Sequence, residues 1–127
     1  MPVSEKSSYA ENQARVAELE ARVTQIRRLN DEFREGRVGG MIVVTPGVRG
    51  LPPEQLAEAL QAVQAFTTFN EGNDPYGEHD FGSIEVEQQR IFWKIDCYDK
   101  ALELGSPNPT DPDVTARVLT IMLAQEY

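Results

Sequence analysis

Cysteine, histidine and basic charge are all scarce in this 127-residue chain: it has one Cys, one His, and 12 Lys and Arg against 21 Asp and Glu, a net charge of −9. The single Cys97 excludes an internal disulfide, and no Cys or His neighbour lies at metal-finger spacing. The missing basic surplus argues against direct nucleic-acid binding, which relies on clustered Lys and Arg to neutralise phosphates. A basic protein surface is the partner such a charge favours. No apolar run approaches the roughly 20 residues that span a bilayer. The start, MPVSEKSSYAENQ, also lacks the basic-then-apolar order of a secretory signal. The expected setting is therefore the cytoplasm, with no membrane partner.

What is present is one domain's worth of patterned chain. Residues 1–36 read as a flexible start followed by a long amphipathic helix, and 37–127 as a compact α+β domain. Residues 1–10 are polar, without periodicity, and are expected to be mobile. From about Glu11 to Glu35 the spacing of Val16, Leu19, Val23, Ile26, Asn30 and Phe33 predicts a helix. Its three short heptads fit either an amphipathic helix docked on the domain or a homodimer through residues 11–35, with Asn30 setting register. Gly36 ends it.

Met41–Thr45 is a β-branched run expected to be a strand, buried on both faces or lying centrally in a small sheet. Pro46-Gly47 reads as a type II turn. Leu51-Pro52-Pro53-Glu54 opens a second helix, with a stripe of Leu56, Ala59, Leu60, Val63 and Phe66, ending near Phe69. From Phe81 the period falls to two, predicting two strands joined at about Glu87-Gln88-Gln89. Thr110-Asp111-Pro112-Asp113 resembles a capping box, with the Thr110 hydroxyl accepting from the Asp113 N–H. It opens an expected last helix, VTARVLTIMLAQEY. The order α-β-α-β-β-α implies a small, mainly antiparallel three-stranded sheet covered by helices.

Chemistry concentrates in GNDPYGEHDFG, residues 72–82. Residues 69–90 hold Arg90 against Glu71, Asp74, Glu78, Asp80, Glu85 and Glu87, more than half of the chain's surplus negative charge. Asn73 to Gly77 are accounted for by turn chemistry. Glu78-His79-Asp80 are not, and with Asp74, Tyr76 and Glu85 they form the candidate binding surface. In an extended strand entry Glu78 and Asp80 point to one side and His79 to the other.

An enzymatic alternative puts His79 to work as general acid or base, oriented by Asp80 or Asp96. No motif marks a nucleophile: Ser83 and Ser106 lie outside any G-x-S-x-G elbow, and Cys97 sits in an apolar strand. A metal site would require Asp74, Asp96 or Asp99 to join the triplet. No HExxH, paired-Cys or EF-hand spacing supports one, so no metal or cofactor is assigned. In FWKIDCYD, Lys94, Asp96 and Tyr98 share a face with Phe92; Lys94 either faces a cleft with His79 or pairs with a carboxylate. A nuclease-like acid two residues before Lys94 is absent, since Phe92 stands there.

IRRLNDEFR, GGMIVVTPGV, NDPYGEHDFG, FWKIDCYD, GSPNPTDP and TARVLTIMLAQEY together resemble an uncharacterised domain-of-unknown-function family of small alphaproteobacterial proteins, often encoded on plasmids and other mobile elements. Gln88 and Cys97 depart from its pattern. The resemblance implies no reaction or cofactor. It implies an accessory role in transfer, maintenance or counter-defence, in which an acidic protein occupies a basic surface of a host nucleic-acid-binding protein.

Overall fold

The computed structural model describes residues 5–127, with side chains from residue 8 onward. Helix α1 spans Glu5–Arg34, strand β1 Met41–Val44, the single turn α2 Pro46–Arg49, and helix α3 Pro53–Gln64. Strands β2 (Phe81–Val86), β3 (Gln89–Tyr98) and β4 (Ala116–Leu123) follow, with 3-10 turns at Pro112–Val114 and Ala124–Glu126. The expectation of a mobile start falls partly on residues 1–4, outside the described residues; Glu5 to Ala10 are helical instead.

The domain is α+β, as read, but its sheet has four strands in the order β1-β4-β3-β2, with β1–β4 parallel and the other pairs antiparallel. The expected last helix is β4. Its apolar residues fall on both faces, so periodicity does not separate a strand from a buried helix, and Val118, Thr120 and Ile121 tip the balance toward β. The proposed capping box is a three-residue turn capped by Asp111, whose Oδ1 accepts from Asp113 N–H at 2.9 Å; the Thr110 hydroxyl donates to Asn108 Oδ1 at 2.6 Å.

Strand β1 is neither central nor buried on both faces: it is an edge strand with Met41, Ile42 and Val43 exposed. Pro46-Gly47 opens the one-turn helix α2 rather than a type II turn. Gly47 is needed there because a Cβ would meet the Glu126 carboxylate and Leu123. Helix α3 starts where its prolines indicate but ends at Gln64, short of Phe69. The β2–β3 hairpin closes in two residues, Glu87 and Gln88, with φ of 48° and 68°. Those are type I′ angles, which usually demand Asn or Gly.

One face of the sheet carries the core: Ile91, Trp93, Ile95, Leu119, Ile121 and Leu123 pack with Ala59 and Val63 of α3, Val48 and Phe33. Gly82 pairs with Trp93, and a Cβ there would overlap the indole. On the opposite face Phe81, Phe92 and Tyr127 cluster with ring centroids 5.3–6.0 Å apart.

Helix α1 is used unevenly. Ile26, Asn30, Phe33 and Arg34 are buried against the domain, while Tyr9, Val16 and Leu19 are exposed. Gly36, at φ 81°, ends the helix as its sequence position indicates, and Arg37 N–H returns to Glu32 O at 2.9 Å.

Candidate functional site

The loop between α3 and β2 is held by its own polar side chains. Asn70 Oδ1 accepts from the N–H groups of Gly72 (2.9 Å) and Asn73 (3.1 Å), and Asn73 Nδ2 donates to Thr68 O at 2.8 Å. Asp74 then turns the chain: its Oδ1 accepts from His79 N–H at 3.2 Å, and Gly77 takes a φ of 70° beside Val23 of α1.

His79 is locked. It adopts a left-handed φ of 54°, and its ring lies flat on Phe69, 3.7 Å between centroids and 4° from parallel. Nδ1 lies 2.9 Å and 3.1 Å from the two oxygens of Asp31, and Nε2 3.6 Å from Asp74 Oδ2. An ionised carboxylate only accepts, so Nδ1 carries a proton.

The same Asp31 pairs with Arg34 at 2.9 Å. Arg34 is buried, donates to Phe66 O at 3.1 Å, and stacks over Phe69 (5.3 Å) and Trp93 (5.2 Å). His79 is thus a clasp between the loop and α1. Its neighbours Asp31, Arg34 and Phe69 were missed in the sequence, where the only local signal is the i,i+3 spacing of Asp31 and Arg34.

Glu78 and Asp80 turn the other way. Ile95 N–H donates to Asp80 O at 2.8 Å, which extends the β2–β3 pairing by one residue and puts Asp80 on the helix-covered face with Ile95 and Cys97. A cleft of about 240 Å³ opens there between α1 and β3, lined by Glu78, Asp80, Asp96, Cys97, Asn30 and Pro109 among others. His79 is not in its lining. Asp96 reaches it from the strand's opposite face, where its carboxylate pairs with Lys94 at 3.2 Å. Of the two readings for Lys94, pairing with a carboxylate is the one found.

Asn30 forms the back of the cleft. It is buried, its Nδ2 donates to Glu78 O at 2.9 Å, and its Oδ1 accepts from Arg117 Nε at 2.8 Å. Asn30 thus acts within the chain, as the docked-helix reading of the seam has it. Arg117 also donates to Pro109 O at 2.6 Å. Its signal in the sequence is a lone cation within the apolar run of β4.

Electrostatics single out the cleft. Burial, then the charges of Asp80 and Asp74, raise the Glu78 carboxyl above its ordinary value, against a smaller opposing pull from Arg22. Asp80 is also raised, first by burial, and further by Asp74 and Asp96, while its own backbone N–H and His79 oppose the rise. Burial pushes the Cys97 thiol up, against Arg117 and with the three cleft carboxylates, so it is no thiolate nucleophile. Among the described residues neither Glu78 nor Asp80 makes a salt bridge, and no group of three or more His, Cys, Asp or Glu is arranged to hold a metal ion.

The remaining candidates lie apart. Asp74 is buried under His79; Tyr76 is 79% exposed and lies against α1 near Leu19 and Val23. Glu85 stands on the uncovered face of β2, 3.8 Å from Arg90.

Fold and cleft define a class: a helix-backed mixed sheet with a carboxylate-lined cleft where α1 crosses the β2–β3 hairpin. The chain belongs to the family described as a protein of unknown function (DUF3768), whose model matches residues 44–126. That span takes in α2, α3 and strands β2 to β4, and with them Glu78, Asp80, Asp96 and Cys97; Asn30 lies outside it. No curated protein and no solved structure matches the chain. Among the described residues no helix is long and apolar enough to cross a membrane.

Proposed function

We propose that this chain is a non-enzymatic protein-binding module that receives a basic side chain of its partner in the cleft of Glu78, Asp80 and Asp96. The observation that carries this reading is geometric: Glu78 and Asp80 line a cleft of about 240 Å³ and neither makes a salt bridge among the described residues, and burial together with neighbouring carboxylates raises both groups. Carboxylates crowded together and partly desolvated oppose ionisation, and an arriving Lys or Arg relieves both the repulsion and the lost hydration. The resemblance to plasmid-borne accessory proteins adds a setting: occupation of a basic surface on a host nucleic-acid-binding protein, in the cytoplasm. A homodimer through α1 would have only the turns before Val23 to use, because Ile26, Asn30 and Phe33 are committed to the domain. An enzyme or metal-binding protein centred on Glu78, His79, Asp80 and Asp96 has less support, since His79 is held by Asp31 and Asp74 away from the cleft.

A fluorescent lysine-rich peptide titrated at low and high salt tests the reading. The double variant E78Q/D80N should weaken its binding about tenfold or more, while E71Q/E87Q, with the same change in net charge at exposed positions, should cost about twofold. Equal losses would reduce the effect to overall charge and sink the proposal.

A further inference from the structure

The two edges of the sheet are guarded differently. β2 carries Glu85 beside Arg90, whereas the segment Val38 to Val44 that leads into and forms β1 has no charged residue and no proline. Edge strands are normally blunted by charge, proline, a bulge or a covering element, because their unpaired main-chain groups template another strand. On β1, Met41, Ile42 and Val43 are 47%, 55% and 40% exposed. Thr45 N–H donates to Ile121 O at 3.1 Å, and alternate residues of a parallel strand turn their main-chain groups to the same side. Met41, Val43 and Thr45 therefore face β4, and the N–H and C=O groups of Ile42 and Val44 face the open edge.

Beside Met41 lies a cleft of about 580 Å³ whose walls include Gly39, Gly40, Lys100, Leu102 and Arg117. A second cleft of about 300 Å³ shares Gly39, Lys100 and Arg117 with it and adds Val38 and Phe33. The charge here is the reverse of the chain's overall −9. Lys100 makes no salt bridge among the described residues. Arg117 gives its hydrogen bonds to neutral acceptors, Asn30 Oδ1 and Pro109 O, so no carboxylate cancels its charge. Glu32, in the second cleft, is already paired with Arg28 at 3.3 Å.

We propose that the β1 edge is a docking site for an extended segment of a partner protein, apolar at alternate positions and bearing an acidic residue that meets Lys100 and Arg117. The segment adds a fifth strand: main-chain bonds to Ile42 and Val44 supply affinity, and the clefts beside Met41 supply side-chain selection. Charge decides against a second copy of β1 as the occupant, because like pairing would bring Lys100 and Arg117 of both copies to one edge. This surface shares no lining residue with the acidic cleft, although Arg117 also braces Asn30 at that cleft's back, and its test reads the β1 edge through Lys100 and the Ile42 and Val44 amides.

The test uses the full chain and an end-blocked, fluorescent heptapeptide of alternating valine and glutamate, with a neutral valine–glutamine heptapeptide, which the acidic cleft does not attract, as control. The glutamate probe should bind, and the glutamine probe at least about tenfold more weakly. I42P removes an outward N–H without touching the β4 ladder, and K100E reverses the cleft charge; each should weaken the glutamate probe about tenfold or more. Amide exchange at Ile42 and Val44 should slow when the probe is added. K100E and the exchange measurement decide the matter even if I42P fails to fold. Equal binding of the two probes, an unchanged K100E affinity, or unprotected Ile42 and Val44 amides would each overturn the proposal, as would self-association that excludes the probe.

Discussion

Near the C-terminus, Glu126 accepts from Thr45 Oγ1 at 2.6 Å, Leu123 N–H at 2.9 Å and Gly47 N–H at 3.0 Å, tying the last turn to α2. At the α1 corner, Glu78 and Asp80 face a cleft where, among the described residues, neither makes a salt bridge and the donor turned to a carboxylate is Asp80's own backbone N–H. The donors around Glu126, the Thr45 hydroxyl foremost, lower its carboxyl below the ordinary value; burial above all raises Glu78 and Asp80. Asp31 belongs with Glu126, since Arg34 and His79 both close on it. Carboxylates that serve the fold are surrounded by donors; Glu78 and Asp80 are nearly without them, and the binding reading proposed for the cleft rests on that difference.

The sharpest way to break this comparison is to remove a held carboxylate. D31A strips Arg34, whose side chain is 2% exposed, of its nearest anion and frees the His79 ring. A loss of about 2–3 kcal/mol in urea unfolding is expected, because a buried cation left without its partner keeps its desolvation cost. A wild-type midpoint would show that the clasp is incidental.

The next effect lies in the pH dependence, where the two groups of carboxylates have opposite signs. Glu126, lowered in the folded state from 4.5, contributes stability above its unfolded value that is lost as pH falls through the folded one. Glu78 and Asp80, raised from 4.5 and 3.8, cost stability that grows as pH rises from those values through the raised ones. E126Q should therefore melt lower than wild type at neutral pH and converge with it in acid. E78Q/D80N should melt higher at neutral pH and likewise converge in acid. Melting curves in which the cleft variant is the less stable at neutral pH would make Glu78 and Asp80 structural.

The smallest effect is expected for E85Q. Its pairing with Arg90 is long and solvent-exposed, so unfolding should shift by no more than about 0.5 kcal/mol.

Much of the fold was legible because it rests on local rules. Gly36 at the end of α1, Pro53 at the start of α3 and the period-two run from Phe81 each identify their elements; Glu78 and Asp80 do part from His79, but through its left-handed φ of 54° and not through the extended strand entry expected there. β4 was not legible. Its apolar residues fill both faces, and only β1 on one side and β3 on the other make it a strand. The edge position of β1 is likewise invisible locally, since a β-branched run reads the same at the centre of a sheet and at its rim. Asn30 fits a dimer seam by spacing alone; Glu78 and Arg117, 48 and 87 residues away, give it another task.

The sequence by itself determined the class of the fold, the long first helix, the turn at Asn73 to Gly77 and the acidic bias of the hairpin entry, because caps, periods and charge counts depend on neighbours a few residues apart. The tertiary structure decided that His79 is a clasp, that Glu78 and Asp80 face a cleft with Asp96 on its rim, and that β1 is left open beside Lys100. Those outcomes depend on which distant side chains pack against each residue and on how much water they exclude, and no local pattern encodes either.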